Sequence, residues 1–165
     1  MCDVIIRIAN EQDFIALERL YYDFHQYHVR EVPDRLQDLG KFEDQDWSRL
    51  QQALRDIITN QDAAIFLAEC SGQLIGLVEV YYRQDDKANP LIVPHQYAYL
   101  QSIMVSEPYR SLGIGKKLME VAHQWGREKG AREMRLDVWE FNQGTIQFYE
   151  RMGYRPLTRT LIIGL

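Results

Sequence analysis

The sequence predicts an α/β fold of the mixed α+β kind, with one central sheet and helices on both of its faces. Three observations predict it. Apolar runs of strand length alternate with runs at helical spacing, in the order β-α-α-β-β-β-α-β-α-β. A short Ser71-Gly72 signal joins two of the strands as a hairpin. Two later helices end in glycine, at Gly130 and Gly153, before further strand-like runs, as crossover connections do.

The elements follow in chain order. Val4 to Ala9 is apolar and β-branched, and reads as the first strand. Asn10 offers an N-cap with Asp13 three residues on, in the manner of a capping box. Phe14, Leu17, Leu20, Tyr21, Phe24 and Tyr27/His28 then recur at helical spacing. Pro33 and Gly40 break the chain, and Trp47, Leu50, Leu54, Ile57 and Ile58 form a second helical stripe. Ala63–Cys70 and Gln73–Tyr82 are the hairpin strands, and 83–94 is a polar loop with Pro90 and Pro94. Tyr97–Val105 is a fourth strand, 114–129 a long amphipathic helix, and Met134–Trp139 a fifth strand. Gln143–Met152 is a short helix, and Tyr154–Ile163 a last strand. No repeat, low-complexity tract or linker is visible, so 1–165 reads as one domain.

Composition narrows the class. The net charge of −5 sits entirely in residues 1–60, with twelve acidic against seven basic residues; 61–165 balance at twelve each. No face-sized basic cluster suggests nucleic acid, and no apolar run reaches membrane-spanning length. The acidic third is either a solvated surface or a wall that attracts a cation. With two cysteines, Cys2 and Cys70, and no export signal in view, a disulfide scaffold is not expected and the reading is cytoplasmic. His25 and His28 stand three apart but lack further ligands, so no metal site is expected.

The stretch most informative for chemistry is Arg110-Ser111-Leu112-Gly113-Ile114-Gly115-Lys116-Lys117, between the fourth strand and the long helix. Paired glycines let backbone N–H groups converge, and a helix start adds partial positive charge, which together suit phosphate oxygens. A Walker loop is excluded, since position 110 is not glycine and Lys116 is followed by Lys117. A Rossmann fingerprint is excluded as well, because Leu118 stands where its third glycine belongs.

What fits is Arg-x-x-Gly-x-Gly after a strand ending in Ile103-Met104-Val105. A second block, Val138-Trp-Glu-Phe-Asn142-Gln-Gly-Thr145-Ile-Gln-Phe148-Tyr149-Glu-Arg-Met-Gly153-Tyr154, follows at the expected separation. Together these resemble the GNAT superfamily of acetyl-CoA-dependent N-acetyltransferases, nearest in motif to small-amine, spermidine/spermine-like members. Thr145 stands where the family more often has alanine. The resemblance implies a GNAT fold of about six to seven strands and about four helices, with a splay between the fourth and fifth strands. It implies that acetyl-CoA is the co-substrate, held by Ile103, Met104, Val105, Arg110–Lys116, Asn142, Phe148 and Tyr149. It further implies that the Ile103 N–H receives the oxyanion and that Tyr149 is the general acid. Family members are often homodimers, and the sequence leaves the oligomeric state of this chain open. Asn142 has a second reading, as the N-cap of the helix that begins at Gln143.

The base is where the sequence departs from relatives. Tyr99 stands where the histone-acetylating branch has a glutamate, and Gln101 and Ser102 stand where the spermidine/spermine branch has acids. No carboxylate lies between Asp86 and Glu107. The substitutes are Glu79, which alternates with Leu77 and Tyr81, or His95, or a water chain held by Tyr99 and Gln101. The acceptor wall is assigned to Tyr21, Tyr22, Tyr27, Tyr99 and Gln101. The expected reaction moves acetyl from acetyl-CoA to a small cationic primary amine. The alternatives are a protein amine or a non-catalytic acyl-CoA-binding module.

Overall fold

The computed structural model describes residues 3–165. Five strands form one sheet in chain order: β1 (Val4–Ile8), β2 (Ala63–Cys70), β3 (Gln73–Gln84), β4 (Gln96–Val105) and β5 (Glu133–Leu136). The first four pair antiparallel, and β5 joins β4 in parallel. The predicted sheet class therefore holds. Helices α1 (Phe14–Glu31) and α2 (Ser48–Thr59) cover one face; α3 (Ile114–Glu128) and α4 (Gln143–Arg151) lie on the other.

Local sequence explains two of the element ends. The Asn10 side chain accepts the Gln12 N–H, and Asp13 reaches back to the Asn10 N–H, so the capping box forms around a 3-10 turn that leads into α1. Between β2 and β3, Ser71 and Gly72 both take positive φ, at 50° and 80°. That twist suits a two-residue hairpin.

Two expectations are corrected. The fifth strand ends at Leu136, not Trp139, because a turn intervenes before α4. The last predicted strand, Tyr154–Ile163, does not form: residues 154–163 have no regular structure and Ile162 and Ile163 are exposed. The sheet thus has five strands where six or seven were expected. Strand propensity there finds no neighbour within the chain to pair with. A third expectation, that no disulfide is formed, also fails. Cys70 is buried and disulfide-bonded, and Cys2 lies outside the described residues. The cysteine argument for a reducing compartment lapses with it.

Two apolar cores sandwich the sheet. On one side Leu17 and Leu20 of α1 and Leu54 of α2 pack on Ile65, Leu67 and Leu77. On the other, Ile114, Leu118, Met119 and Ala122 of α3 pack on Ala64, Val78, Val80 and Leu100, with Tyr149 of α4 in the same cluster. One partly buried ion cluster joins β1, β2 and the turn before α1. Arg7 on β1 donates to both oxygens of Asp13, at 2.7 and 2.9 Å, and to Glu69 on β2 at 2.8 Å. Those bonds hold the Asp13 carboxyl below its ordinary value of 3.8. A lowered folded-state pKa means stabilisation that is present above 3.8 and lost as pH falls through the folded value. Asp13→Asn is therefore expected to cost about 1.5–3 kcal/mol near neutral pH. Denaturant titrations at stepped pH should show that cost shrinking on the acid side.

Candidate active site

Strands β4 and β5 pair only from Tyr97↔Glu133 to Leu100↔Leu136. Beyond Leu100, β4 runs on to Val105 with no partner on that side, so the two strands splay as expected. Ile103, Met104 and Val105 lie in this half, paired only with Val78, Leu77 and Gly76 of β3.

A β-bulge shapes the same strand. Ser102 faces Glu79 while Leu100 faces Val80, so Gln101 is an extra residue on β4. The bulge puts Gln101 and Ser102 together on the α1/α2 side, where both line one cavity. Ile103 and Val105 then return to the α3 side and Met104 to the α1/α2 side. Bulges re-aim side chains in this way next to functional sites.

Past β4, a 3-10 turn (Glu107–Tyr109) leads to the glycine turn. Ser111 takes φ 64° and Gly113 φ 78°, each a left-handed residue. No side chain caps α3, whose first turn begins at Ile114, so its N–H groups are open to an anion. A Cβ on Gly113 would meet nothing within 4 Å, which leaves the space above the turn clear. Gly113→Ala would thus cost only its backbone strain, about 1–2 kcal/mol, read by denaturant unfolding. Leu112 is exposed and Ile114 is buried beneath the turn. Lys116 is exposed and lies 3.8 Å from Glu120.

Arg110 is placed differently from a free phosphate ligand. Its Nε donates to the Val105 carbonyl at 3.0 Å, and its guanidinium lies 5.7 Å from the Tyr27 ring centroid. It fastens the turn to the end of β4 and to α1. Tyr27 also meets Phe141, in the turn after β5, at 6.3 Å. The last turns of α1 thereby bridge the two sides of the splay.

The second motif closes the α3 side. Asn142 caps α4, its Oδ1 accepting the Thr145 N–H at 3.3 Å. Phe148 lies against the start of α3, 3.7 Å from where a Gly115 Cβ would stand. Tyr149 is buried, with its ring 5.5 Å from those of Phe148 and Tyr154. Burial alone pushes its hydroxyl up to about 12, so it keeps its proton at neutral pH.

On the opposite side lies Glu79, the most buried carboxylate of the sheet at 5% exposure. Its two oxygens accept hydroxyl protons from Tyr21 of α1 and Tyr81 of β3, each at 2.6 Å. Burial, followed by the nearby Glu79 charge, raises Tyr21 well above its ordinary value; burial and the bond to Glu79 raise Tyr81. A carboxylate has about four acceptor positions, and two tyrosines leave the others available. Glu79 lines a cavity of about 300 Å³ with Tyr21, Leu50, Leu54, Tyr81, Gln101 and Ser102. A neighbouring cavity of about 340 Å³ shares Tyr21, Leu50 and Ser102 and adds Tyr22, Phe24, His25 and Trp47. The expected wall residues divide. Tyr21 and Gln101 line the Glu79 cavity and Tyr22 the second, where its hydroxyl also donates to the Gly40 carbonyl. Tyr99 donates to Asp137 at 2.6 Å under the Arg83 guanidinium, while burial and Asp137 push it up to about 12. His95 is exposed beside Asp85, away from both cavities.

Sequence reasoning did not single out Tyr81 or Asp137. Tyr81 had a signal, since residues two apart in a strand share a face. Asp137 had none, because the Tyr99 contact depends on the parallel register of β5. Among the described residues no three metal-binding side chains converge, and no helix is long and apolar enough to cross a membrane.

An open splay and an uncapped glycine-turned helix thus stand on one side of the sheet, with a buried carboxylate across it. The acetyltransferase (GNAT) family profile matches residues 16–154, and the chain belongs to that family. Aminoglycoside N(6')-acetyltransferase type 1 of Salmonella typhimurium is 26% identical over 110 residues, 64% of this chain and 72% of that protein. Thialysine N-epsilon-acetyltransferase of Sus scrofa is 35% identical over 60 residues, 36% of this chain and 35% of that one. Among solved structures, a mutant BH1408 protein from Bacillus halodurans has a TM-score of 0.85 at 23% identity, covering 98% of this chain and 99% of its own. Aminoglycoside N-acetyltransferase AAC(6')-Iy in complex with CoA has a TM-score of 0.74 at 19% identity, covering 100% and 96%. These two likenesses speak for the fold. The chain is an acetyl-CoA-dependent N-acetyltransferase, and the open glycine turn and splay fit that co-substrate.

Proposed function

We propose that this enzyme acetylates a small cationic primary amine, and that Glu79 is the group that receives and deprotonates it. The observation that carries this reading is the Glu79 carboxylate, buried at a cavity wall and oriented by two tyrosine hydroxyls. Acetyl-CoA supplies an activated thioester carbonyl. The first-turn N–H groups of α3, with Ser111 to Lys116, hold its phosphates, and the unpaired side of Ile103–Val105 with Asn142 and Phe148 holds its arm. The Ile103 N–H stabilises negative charge as it develops on the carbonyl oxygen. An alkyl ammonium has a pKa of about 10.4, so the acceptor must lose a proton before attack. Glu79 takes that proton, directly or through water, and fills the role left open by Tyr99 and Gln101 on β4. Tyr149 keeps a proton on its hydroxyl at neutral pH and gives it to the departing sulfur.

Two similar proteins are named for transfer to small amines, an aminoglycoside and thialysine, which supports a small acceptor over a protein chain. A spermidine-like acceptor is one member of that class. The cavities are sized for part of such a molecule. A cytoplasmic location now rests on the acetyl-CoA requirement alone. The deciding experiment is acetyl-CoA-dependent thiol release across polyamines, aminoglycosides, lysine analogues and peptides. Turnover confined to small cationic amines is expected; turnover with peptide amines alone would overturn the reading.

A further inference from the structure

Glu79 is the only carboxylate among the described residues that line either cavity on the α1/α2 side. Around it the first cavity presents Leu50, Ala53, Leu54 and Ile57 of α2; the second presents Tyr22, Phe24, Leu39 and Trp47. The two share Tyr21, Leu50 and Ser102, so they meet along one wall. Polar atoms of the second cavity are largely engaged elsewhere. The Tyr22 hydroxyl donates to the Gly40 carbonyl, and His25 Nε2 bonds the Gln37 carbonyl at 2.8 Å. The wall that is left is mainly ring and alkyl surface.

Trp47 is fixed in that wall. It stands at the start of α2, with the Phe42 ring 4.9 Å away and the Tyr22 edge against it at 6.1 Å. Tyr22 also meets Phe42 edge-on at 5.3 Å. Rings from α1, from the turn at 42–44 and from the start of α2 thus hold one another before any ligand arrives. A surface ordered in advance binds an apolar group with little further entropy cost. The acids of residues 1–60 do not add a second cation site here. Asp13 is bound by Arg7, Glu18 by Gln51, Asp23 by Arg19, and Asp38 by Gln26 and the Gly40 N–H. None of them lines either cavity.

We propose that the acceptor is an amphiphilic monoamine, with its one ammonium at Glu79 and a single apolar or aromatic body against Trp47 and Tyr22. The inference rests on the reading of Glu79 as base and narrows the acceptor within it. A further ammonium, with a pKa of about 10.4, would stay charged at neutral pH and lie on ring and alkyl surface with no carboxylate to meet it. Polyamines and aminoglycosides are therefore poor acceptors. In the reaction the amine nitrogen bonds to the acetyl carbon as the carbon–sulfur bond breaks. The amine proton passes to Glu79 and the Tyr149 proton to sulfur, leaving an amide and the free CoA thiol. Trp47 and Tyr22 determine specificity and take no part in these transfers.

Initial rates of acetyl-CoA-dependent thiol release with matched amines test this on the whole chain. n-Butylamine and its terminal diamine differ by one ammonium; ethylamine and phenethylamine differ by one ring. The expected kcat/KM is about tenfold or more higher for butylamine than for the diamine. It is about 10²-fold higher for phenethylamine than for ethylamine, and Trp47→Ala should cut that ratio about tenfold. Preference for the diamine, spermidine or neamine over the monoamines overturns the proposal, as does a ring preference that survives Trp47→Ala undiminished. Should that variant fold poorly, the panel on the unsubstituted enzyme decides alone. Glu79→Gln keeps the two readings apart, since it should depress every amine by a similar factor. If it does so while the diamine is preferred, the monoamine inference alone falls. If turnover survives Glu79→Gln, the base assignment falls and the ammonium seat with it.

Discussion

Replacing Glu79 with glutamine is expected to lower kcat/KM for amine acetylation by about 10²- to 10⁴-fold, the range of a lost general base. The size follows from how the carboxylate is held. Tyr21 and Tyr81 reach it from two different elements, so its position is set by α1 and β3 together. Glutamine keeps the volume but presents an NH₂ to one of the two hydroxyls, and it has no proton affinity to offer the amine. Acetyl-CoA affinity should be unchanged, since the glycine turn and the splay lie elsewhere. Steady-state kinetics with calorimetry separates these. Equal turnover in the variant would sink the assignment of Glu79 as base, while a parallel loss of acetyl-CoA binding would point to a folding defect instead. Tyr81→Phe and Tyr21→Phe should produce smaller losses, because they misplace the carboxylate without removing it.

Tyr149→Phe is the second large effect. It should lower kcat by about 10²-fold or more, the lower end of general acid catalysis. The ring would remain packed in the α3-side core, so the stability change should be small and the fold intact. Wild-type activity should also fall at high pH as the hydroxyl, displaced upward to about 12 by burial, loses its proton. The phenylalanine variant should lack that limb. A pH–rate profile measured through the alkaline range, with unfolding monitored in parallel, distinguishes the two. Unchanged kcat in the variant would leave Tyr149 as a packing residue only.

Much of this was readable in advance, for a physical reason. The helical stripes, the Asn10–Asp13 box, the Ser71-Gly72 hairpin and the glycine turn are all local, and local chemistry is written in consecutive residues. The β4–β5 splay was implied by family resemblance, and the structure shows it as pairing that stops at Leu100. What was not legible depends on partners distant in sequence. The hydroxyls on Glu79 come from residues two and fifty-eight positions away. Asp137 meets Tyr99 only through a parallel register. The Arg110 charge is visible in the sequence, but the Val105 carbonyl it donates to is not. Residues 154–163 misled for the opposite reason, since strand propensity is local but a strand exists only where an edge accepts it.

The single extra residue at Gln101 has a consequence for how this site can change over time. Side chains in a strand alternate with a period of two, so a regular strand that kept Gln101 would turn every residue downstream to the other face. The bulge absorbs the extra residue instead: Leu100 lies in the core beneath α3, and Ile103 and Val105 lie there again. Gln101 and Ser102 both face the acceptor cavity as a result. Removing Gln101 would restore plain alternation with Ile103 and Val105 facing as before, and would take one side chain from the cavity wall. Acceptor preference can therefore drift along β4 by side chain or by the extra residue, while the facing of the donor half stays the same.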